Sequence, residues 1–478
     1  MNKAISRTFL VIGLLLCALI ANVVYIQVID ASNLKSNPQN RAQILQQERI
    51  KRGNITAYDG TVIAGTRREG SYWVRTYPLG DFATHVVGYD SLRYGRAGIE
   101  KSMNDVLSGQ STDLGVQSWI DRVLGRRPRG GTVRLTLVPE VQRAAQQALS
   151  GQRGAVVAID PATGAILASA SAPTYSAATL SKDWPRLSKE TSAPLLNRAM
   201  QALYPPGSSF KVVTAGAGLR DGVVTPQTRY VDTGVYRVYG GKVVNYGGEV
   251  FGPNTLTQAL TFSINTTFGK LGNQLRHSRL IGGAEAFGFW KRPPVELPAG
   301  EVRVSGRYGD GSLLPPSAPM DPLAVAWAAV GQEKVLATPL QMALVAAGVA
   351  NGGRVKKPYV VDSVISPQGK TTAVTKPGTW TVALDADTAA ELNAMMQEVV
   401  KVGTGTAAAL AGISVAGKTG TAERAGANQA WFIAFAPADA PRVAVAVTIE
   451  DTYGTGGEVA APLAASVMRA ALAQGRLP

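Results

Sequence analysis

Apolar residues form one long run near the start of the chain and short alternating segments after it. From Phe9 to Val28 the sequence FLVIGLLLCALIANVVYIQV is apolar except at Asn22 and Gln27. Twenty helical residues extend about 30 Å, the thickness of the hydrocarbon core of a bilayer. The run therefore predicts a transmembrane anchor over residues 9–29. A cleaved signal peptide is the alternative, but its apolar region usually has only about 7–15 residues.

The charges around this run predict its orientation. Lys3 and Arg7 precede it and Asp30 follows it, so the positive-inside tendency predicts a cytoplasmic tail over residues 1–8 and places the rest of the chain outside the membrane. The single cysteine, Cys17, falls within the run. The exported part consequently has no thiol for a disulfide, a cysteine-based zinc site or a cysteine nucleophile.

Residues 30–150 are rich in turns and carry short alternating segments, which predicts a small, mostly β domain. A proline at the first helical position favours a helix start at residue 139. The predicted strands lie within 53–64 and at 72–77, and the predicted helices lie at 99–107 and 139–149.

Strand-like segments occur at both ends of residues 151–478, with helix-like segments between them. This arrangement predicts one antiparallel sheet with helices packed on it, and hence an α+β fold with a smaller, mostly β pedestal domain and one N-terminal transmembrane helix. The predicted strands are 155–160, 165–171, 414–418, 430–436 and 442–449, and the predicted helices include 339–350 and 461–472.

Composition narrows the classes of site and partner. The 478 residues carry a formal net charge of +15, with basic runs at 49–52 and 122–129. Outside a membrane such runs suit anionic lipid headgroups or an anionic wall polymer, or they are solvated surface, and export disfavours nucleic acid as a partner. His85 and His277 are the only histidines, which excludes a histidine-rich metal site and leaves few bases for a Ser-His-Asp triad.

The stretch YPPGSSFKV, which begins at Tyr204, places the Ser208 hydroxyl three residues before the Lys211 amine. Residues three apart share one face of a helix, so Lys211 is a candidate base for a Ser208 nucleophile. A lysine acts as a base only where burial or a nearby cation lowers its pKa. The spacing alone is weak, because Ser32 and Lys35 repeat it next to the anchor.

Two further motifs follow Ser208 in the chain. Ser263-Ile-Asn265 stands within the stretch 259–272, and Lys418-Thr-Gly-Thr421 starts within a predicted strand. Gly420 is expected to let a substrate backbone come close to that strand. Three motifs in this order are far more specific than the serine–lysine spacing alone.

The ordered set Ser208-x-x-Lys211, Ser263-x-Asn265 and Lys418-Thr-Gly420 resembles the active-site triad of the penicillin-binding proteins and serine β-lactamases. The surrounding sequence is more similar to the monofunctional, class B penicillin-binding proteins. The segments that carry this similarity are 204–207, 265–268, 331–332, 338–343, 403–405 and 430–433 in the second domain, and 52–55, 98–100 and 107–109 in the first.

The resemblance implies a residue for each step of an acyl transfer. Ser208 would attack the peptide bond between two D-alanines of a peptidoglycan stem peptide, and Lys211 would take its proton, with a pKa lowered by Lys418 and by partial desolvation. Ser263 and Asn265 would relay the proton to the leaving amine and hold the substrate amide. The resemblance implies no metal and no cofactor.

The strand motif is implied to bind the substrate. Thr419 and Lys418 would hold its terminal carboxylate, and the backbone N–H groups of Ser208 and Thr421 would form an oxyanion hole. The amine of a second stem peptide would then release the acyl group and close a crosslink. β-Lactams, which mimic the D-Ala-D-Ala end, would leave Ser208 acylated.

These implications predict a membrane-bound D,D-transpeptidase of cell-wall synthesis, with a membrane glycosyltransferase or other cell-wall proteins as possible partners. A D,D-carboxypeptidase shares all three motifs and stays open as an alternative. A β-lactamase is disfavoured by the anchor and by the missing pattern for a deacylating base, and a non-catalytic scaffold is disfavoured by the intact motifs. The choice between septation and elongation and the acceptor amine stay open.

Overall fold

A computed structural model describes residues 2–26, 50–111, 114, 129–424, 426–475 and 477–478. Several sequence predictions lie outside the described residues. These are the last anchor residues, the first residue of the basic run at 49–52, nearly all of the run at 122–129, and the Ser32 and Lys35 pair.

The strands are numbered β1 to β22 in chain order. Most of the predicted strands are found, and three near the C-terminus are longer than predicted. Their bounds are β1 Ile55–Thr56, β2 Val62–Glu69, β3 Tyr72–Thr76, β4 Asp90–Ser91, β5 Gly95–Arg96, β6 Thr132–Leu135, β7 Gly154–Ile159, β8 Ile166–Ala172, β9 Arg229–Asp232, β10 Val235–Val238, β11 Gly241–Val244, β12 Gly252–Thr255, β13 Gly306–Gly309, β14 Ser312–Leu313, β15 Val335–Leu336, β16 Arg354–Lys356, β17 Val361–Ile365, β18 Thr371–Val374, β19 Thr379–Val382, β20 Ala416–Arg424, β21 Ala427–Ala436 and β22 Val443–Thr452.

The α-helices are numbered in the same way. The predicted helix over 99–107 is in fact two short helices, because the backbone leaves the helical region at Met103. The bounds are α1 Asn2–Val24, α2 Thr84–Val87, α3 Gly98–Ser102, α4 Asn104–Leu107, α5 Pro139–Ala148, α6 Leu180–Leu187, α7 Arg198–Gln201, α8 Lys211–Arg220, α9 Leu256–Thr261, α10 Asn265–Ala286, α11 Pro322–Ala329, α12 Pro339–Ala350, α13 Ala386–Lys401 and α14 Ala461–Leu472.

A five-stranded sheet in the order β20-β21-β22-β7-β8 forms the centre of the larger region. All neighbouring strands are antiparallel, and they come from both ends of residues 151–478 as predicted. Successive side chains face opposite sides of a strand. Val157 and Ile433 accordingly pack in the core that contains α12, whereas Val156 and Phe432 pack in the core that contains α5 and α14. The predicted α+β fold, a sheet flanked by helices, is confirmed.

A six-stranded sheet in the order β18-β17-β6-β1-β2-β3 forms the pedestal. Strand β1 pairs with β6 in parallel, and β17 pairs with β6 antiparallel. Strands β17 and β18 belong to residues 361–374, so the chain returns to this sheet long after the five-stranded sheet has begun. The sheet therefore ties the two regions together.

Buried opposite charges connect the segments of the pedestal. Glu100 is fully buried and accepts hydrogen bonds from the guanidinium groups of Arg52 and Arg75. The Tyr77 hydroxyl donates to the same carboxylate at 3.2 Å. One arginine from the segment before β1, a second from β3 and one glutamate from α3 thus meet as opposite charges in the pedestal core.

The N-terminal helix fits a single membrane span. Residues Ile5–Val24 of α1 have a mean hydropathy of 2.2, and none of the span is buried against the rest of the described chain. Such a helix is long enough to cross the hydrocarbon core of a bilayer.

Candidate active site

Ser208 lies on a tight turn between two segments of different helical type. Residues Gly207–Phe210 form one 3₁₀ turn, and the α-helix α8 begins only at Lys211. Gly207 has a φ of +52°, a left-handed conformation that suits glycine, and its N–H donates to the carbonyl of Gly331 at 3.0 Å. The Ser208 hydroxyl is half-buried and has no hydrogen-bond partner among the described residues.

The chain before this turn is anchored on the central sheet and on a buried carboxylate. The indole N–H of Trp431 donates to the Pro205 carbonyl at 3.0 Å, and the Tyr204 hydroxyl donates to Glu450 at 2.6 Å. Arg198, which is 1% exposed, also donates to Glu450. Trp431 is fully buried, so it supports the turn from within the core.

Lys211 is fully buried and points towards the second motif. Its Nζ donates to the Ser263 carbonyl at 2.7 Å, to Ser263 Oγ at 3.2 Å and to Asn265 Oδ1 at 2.7 Å. Burial, and in second place the charge of Lys418, hold the pKa of Lys211 well below its usual range. The sequence analysis expected this lowered pKa, although it named the neighbouring lysine before burial.

Ser263 connects the two lysines. Its backbone has a φ of +59°, rare for a residue other than glycine, at the bend between α9 and α10. Its Oγ lies 3.2 Å from the Nζ of Lys211 and 3.0 Å from the Nζ of Lys418. One hydroxyl therefore contacts both amines, which is the arrangement that a proton relay needs.

Lys418 belongs to β20, the edge strand of the central sheet. It is fully buried, and burial lowers its pKa to about 7. Its Nζ also donates to the Thr419 carbonyl at 3.0 Å. The Thr419 hydroxyl lies 2.6 Å from the hydroxyl of Thr404, a residue that the sequence analysis included in a similar segment but not in the site.

Gly420 lies directly against the turn that carries Ser208. A Cβ at this position would lie 2.7 Å from the Pro206 carbonyl oxygen and 3.0 Å from the Ser209 nitrogen. The side of Gly420 to which a Cβ would point is thus filled by the turn that carries Ser208, and the lack of a side chain lets β20 and this turn pack closely. The expectation that a substrate backbone comes close to β20 at Gly420 stays a prediction.

The three motifs converge on one cleft with a volume of about 260 Å³. Ser208, Ser263, Asn265, Thr419 and Thr421 all line it, whereas the two lysines lie buried in its wall. A larger cavity of about 370 Å³ lies in the pedestal, but its lining lacks the serine–lysine pair. The smaller cleft is therefore the candidate active site.

The cleft also has an aromatic side that the sequence analysis missed. Tyr246, Phe251 and Phe262 line it, and the rings of Phe251 and Phe262 are stacked with centroids 6.1 Å apart. These residues carry no motif, and their common position is visible only in the folded chain. They offer apolar contact area beside the polar motif residues.

Comparisons with known proteins show the family to which this chain belongs. Residues 154–469 match the family model described as the penicillin binding protein transpeptidase domain, and residues 52–133 match the penicillin binding protein A dimerisation domain. The chain is 36% identical to the peptidoglycan D,D-transpeptidase PbpA of Mycolicibacterium smegmatis, over 99% of this chain and 100% of that protein.

Solved structures are similar over most of the chain. The ceftriaxone acyl-enzyme complex of penicillin-binding protein A from M. tuberculosis has a TM-score of 0.82 at 34% identity, covering 90% of this chain and 100% of that one. The D,D-transpeptidase domain of a peptidoglycan glycosyltransferase from Eggerthella lenta has a TM-score of 0.79 at 38% identity, covering 89% and 98%.

Proposed function

Because the chain belongs to the penicillin-binding protein transpeptidase family, we propose that it is a peptidoglycan D,D-transpeptidase that works through an acyl-enzyme on Ser208. One observation carries this assignment of the nucleophile: the Ser208 hydroxyl has no partner among the described residues and opens into a cleft whose wall contains two buried lysines of lowered pKa.

In the first step, Ser208 Oγ bonds to the carbonyl carbon between the two D-alanines of the stem peptide. A neutral Lys211 takes the serine proton, and that proton passes through Ser263 to the nitrogen of the departing D-alanine as the carbon–nitrogen bond breaks. Ser263 suits this role because its hydroxyl lies within hydrogen-bond distance of both lysine amines.

Polar groups along β20 receive the rest of the substrate. Thr419 and Thr421 line the cleft, and β20 is an edge strand, so alternate backbone groups along it are not used by β21. The N–H groups of Ser208 and Thr421 stabilise the oxyanion, and Thr419 with Lys418 binds the terminal carboxylate. Asn265 holds the substrate amide.

In the second step, an amine from another stem peptide attacks the acyl-enzyme. A carbon–nitrogen bond forms, the bond to Ser208 Oγ breaks, and the proton of the amine returns to Ser208 through the same relay. The result is a crosslink. If water attacks in place of the amine, the product is that of a D,D-carboxypeptidase.

The domain order supports a location at the outer face of the cell membrane. We propose residues 1–8 as a cytoplasmic tail, 9–29 as the anchor, 30–150 as the pedestal and 151–478 as the transpeptidase domain. Lys3 and Arg7 support the cytoplasmic position of the N-terminus. A membrane glycosyltransferase that supplies the glycan strands would be a fitting partner for the pedestal.

Covalent labelling tests the nucleophile. The Ser208→Ala variant is expected to lose all labelling by a fluorescent penicillin while it stays folded and membrane-bound, because only the attacking oxygen is removed. The matched control is Ser209→Ala, since Ser209 is buried and donates to the Pro206 carbonyl, and it should retain labelling. Labelling of Ser208→Ala would exclude Ser208 as the acylated residue.

A further inference from the structure

We propose that the carboxylate of Glu249 binds an ammonium group of the stem-peptide substrate and thereby selects peptides that carry a free amine. This inference rests on the proposed transpeptidase function. It adds a residue that belongs to none of the three motifs.

The charge distribution of the cleft points to this role. Among the described residues that line the cleft, Glu249 is the one with a charged side chain. Its carboxylate is exposed and makes no hydrogen bond or ion pair with the described part of the chain. The amines of Lys211 and Lys418 lie buried in the wall of the cleft and supply no counter-charge for a cation. A cationic group that enters the cleft is therefore attracted towards Glu249.

A buried polar network fixes the backbone around Glu249. The amide of Asn245 donates to the Glu249 carbonyl at 2.9 Å and to the carboxylate of Asp232 at 2.8 Å. The N–H of Phe251 donates to the same oxygen of Asp232 at 2.8 Å. Asp232 is 1% exposed, so the loop is held from within the protein on both sides of Glu249.

The same network reaches the second catalytic motif. The N–H of Thr266 donates to Asn245 Oδ1 at 3.1 Å, and the amide of Asn265 donates to the Val244 carbonyl at 2.9 Å. Asn265 in turn accepts a hydrogen bond from Lys211. Glu249 and the residues that bind the reacting amide therefore share one rigid support, which a specificity residue requires.

The chemistry of the reaction indicates which substrate group Glu249 would bind. Transpeptidation consumes an amine, and an alkyl amine with a pKa near that of lysine, about 10.4, arrives as an ammonium ion at neutral pH. An exposed carboxylate attracts such a group with modest strength, and this attraction weakens as salt is added. The ammonium belongs either to the side chain of the donor stem peptide or to the acceptor stem peptide. An experiment with two arms separates these sources.

The donor arm measures acylation of the full chain in detergent by two synthetic stem peptides, one with a free side-chain amine and one with that amine acetylated. We expect wild type to prefer the free amine in kcat/KM, and Glu249→Gln to reduce this preference about twofold to fivefold at low salt. The acceptor arm measures how fast a peptide amine releases a preformed acyl-enzyme, where Glu249→Gln should raise the half-saturating amine concentration by a similar factor.

The matched control is Glu391→Gln, which removes an exposed carboxylate on α13 that makes no ion pair in the described part of the chain. It should leave both readouts at the wild-type values. A change in one arm identifies the donor or the acceptor as the source of the ammonium. Equal readouts for wild type and Glu249→Gln in both arms would overturn the role of Glu249. Failure of wild type to form any acyl-enzyme with penicillin would instead refute the proposed function.

Discussion

The pedestal and the cleft each bury charged side chains, but they do so in opposite ways. In the pedestal, Glu100 is surrounded by Arg52 and Arg75, so negative and positive charges meet. In the cleft, Lys211 and Lys418 are both fully buried, and no carboxylate pairs with either amine among the described residues. The first arrangement keeps its charges, whereas the second lowers the pKa of both amines.

The difference shows how burial serves structure in one place and reactivity in the other. A buried ion pair with satisfied hydrogen bonds holds separate segments in register, and removal of one partner leaves an uncompensated charge. Two buried amines with neutral acceptors, such as the Ser263 carbonyl and Asn265 Oδ1, are readily deprotonated. A neutral amine is what a serine nucleophile needs as its base.

Lys211→Met removes one of the two buried amines of the cleft, and it should have the largest effect, on the rate of acylation. We expect the rate of acylation by penicillin to fall by about 10²–10⁴-fold, the usual loss when a general base is removed. The free energy of unfolding should stay within about 1 kcal/mol of wild type, because the loss of a desolvated amine offsets the loss of its hydrogen bonds. Stopped-flow acylation and urea unfolding of the same preparation measure both quantities, and strong destabilisation would contradict the interpretation.

Glu100→Gln removes the buried negative charge of the pedestal. Two arginines would lose their common counter-charge in the core, so the free energy of unfolding should fall by about 3–5 kcal/mol. The folded fraction should be acylated at the wild-type rate. Glu140→Gln is the control, since Glu140 pairs with Arg143 on the exposed surface, and it should cost less than about 1 kcal/mol. Equal losses for the two variants would show that the pedestal cluster is not structural.

Gly420→Ala tests how closely the edge strand must approach the Ser208 turn. The new Cβ would lie 2.7 Å from the Pro206 carbonyl and would displace the nucleophile, so acylation should slow by about 10²-fold. Gly282→Ala is the control, because a Cβ on that helical glycine meets no atom within 4 Å. Wild-type acylation by Gly420→Ala would show that the contact does not position Ser208.

The pH dependence of the free energy of unfolding should show the smallest of these effects, and it tests the buried Lys418 of the cleft. The pKa of Lys418 is about 7 in the folded chain and about 10.4 in an unfolded chain. Between these values the unfolded state binds more protons, so the free energy of unfolding rises with pH by up to about 1.4 kcal/mol per pH unit from this group. The free energy of unfolding of wild type relative to Lys418→Met should therefore increase from pH 7.5 to 8.5. A constant difference would contradict the lowered pKa.

The sequence predicted more of the chemistry than of the geometry. Ser208, Lys211, Ser263 and Lys418 were predicted from three ordered motifs and from their resemblance to the penicillin-binding proteins. The spacing placed Ser208 and Lys211 on one helical face, but it did not predict that Ser208 lies on a 3₁₀ turn and that the α-helix begins only at Lys211. Local spacing does not distinguish these helical forms, because residues three apart are neighbours in both.

By itself, the sequence determined the apolar N-terminal helix, the strand and helix pattern, the lack of cysteine after that helix, and the three motifs. These properties depend on residue type and on short-range periodicity. Only the tertiary structure decided that β17 and β18 complete the pedestal sheet, that Gly420 packs against the Ser208 turn, and that Glu249 enters the cleft. Each of these depends on contacts between segments far apart in the chain, and such contacts leave no periodic pattern in the sequence.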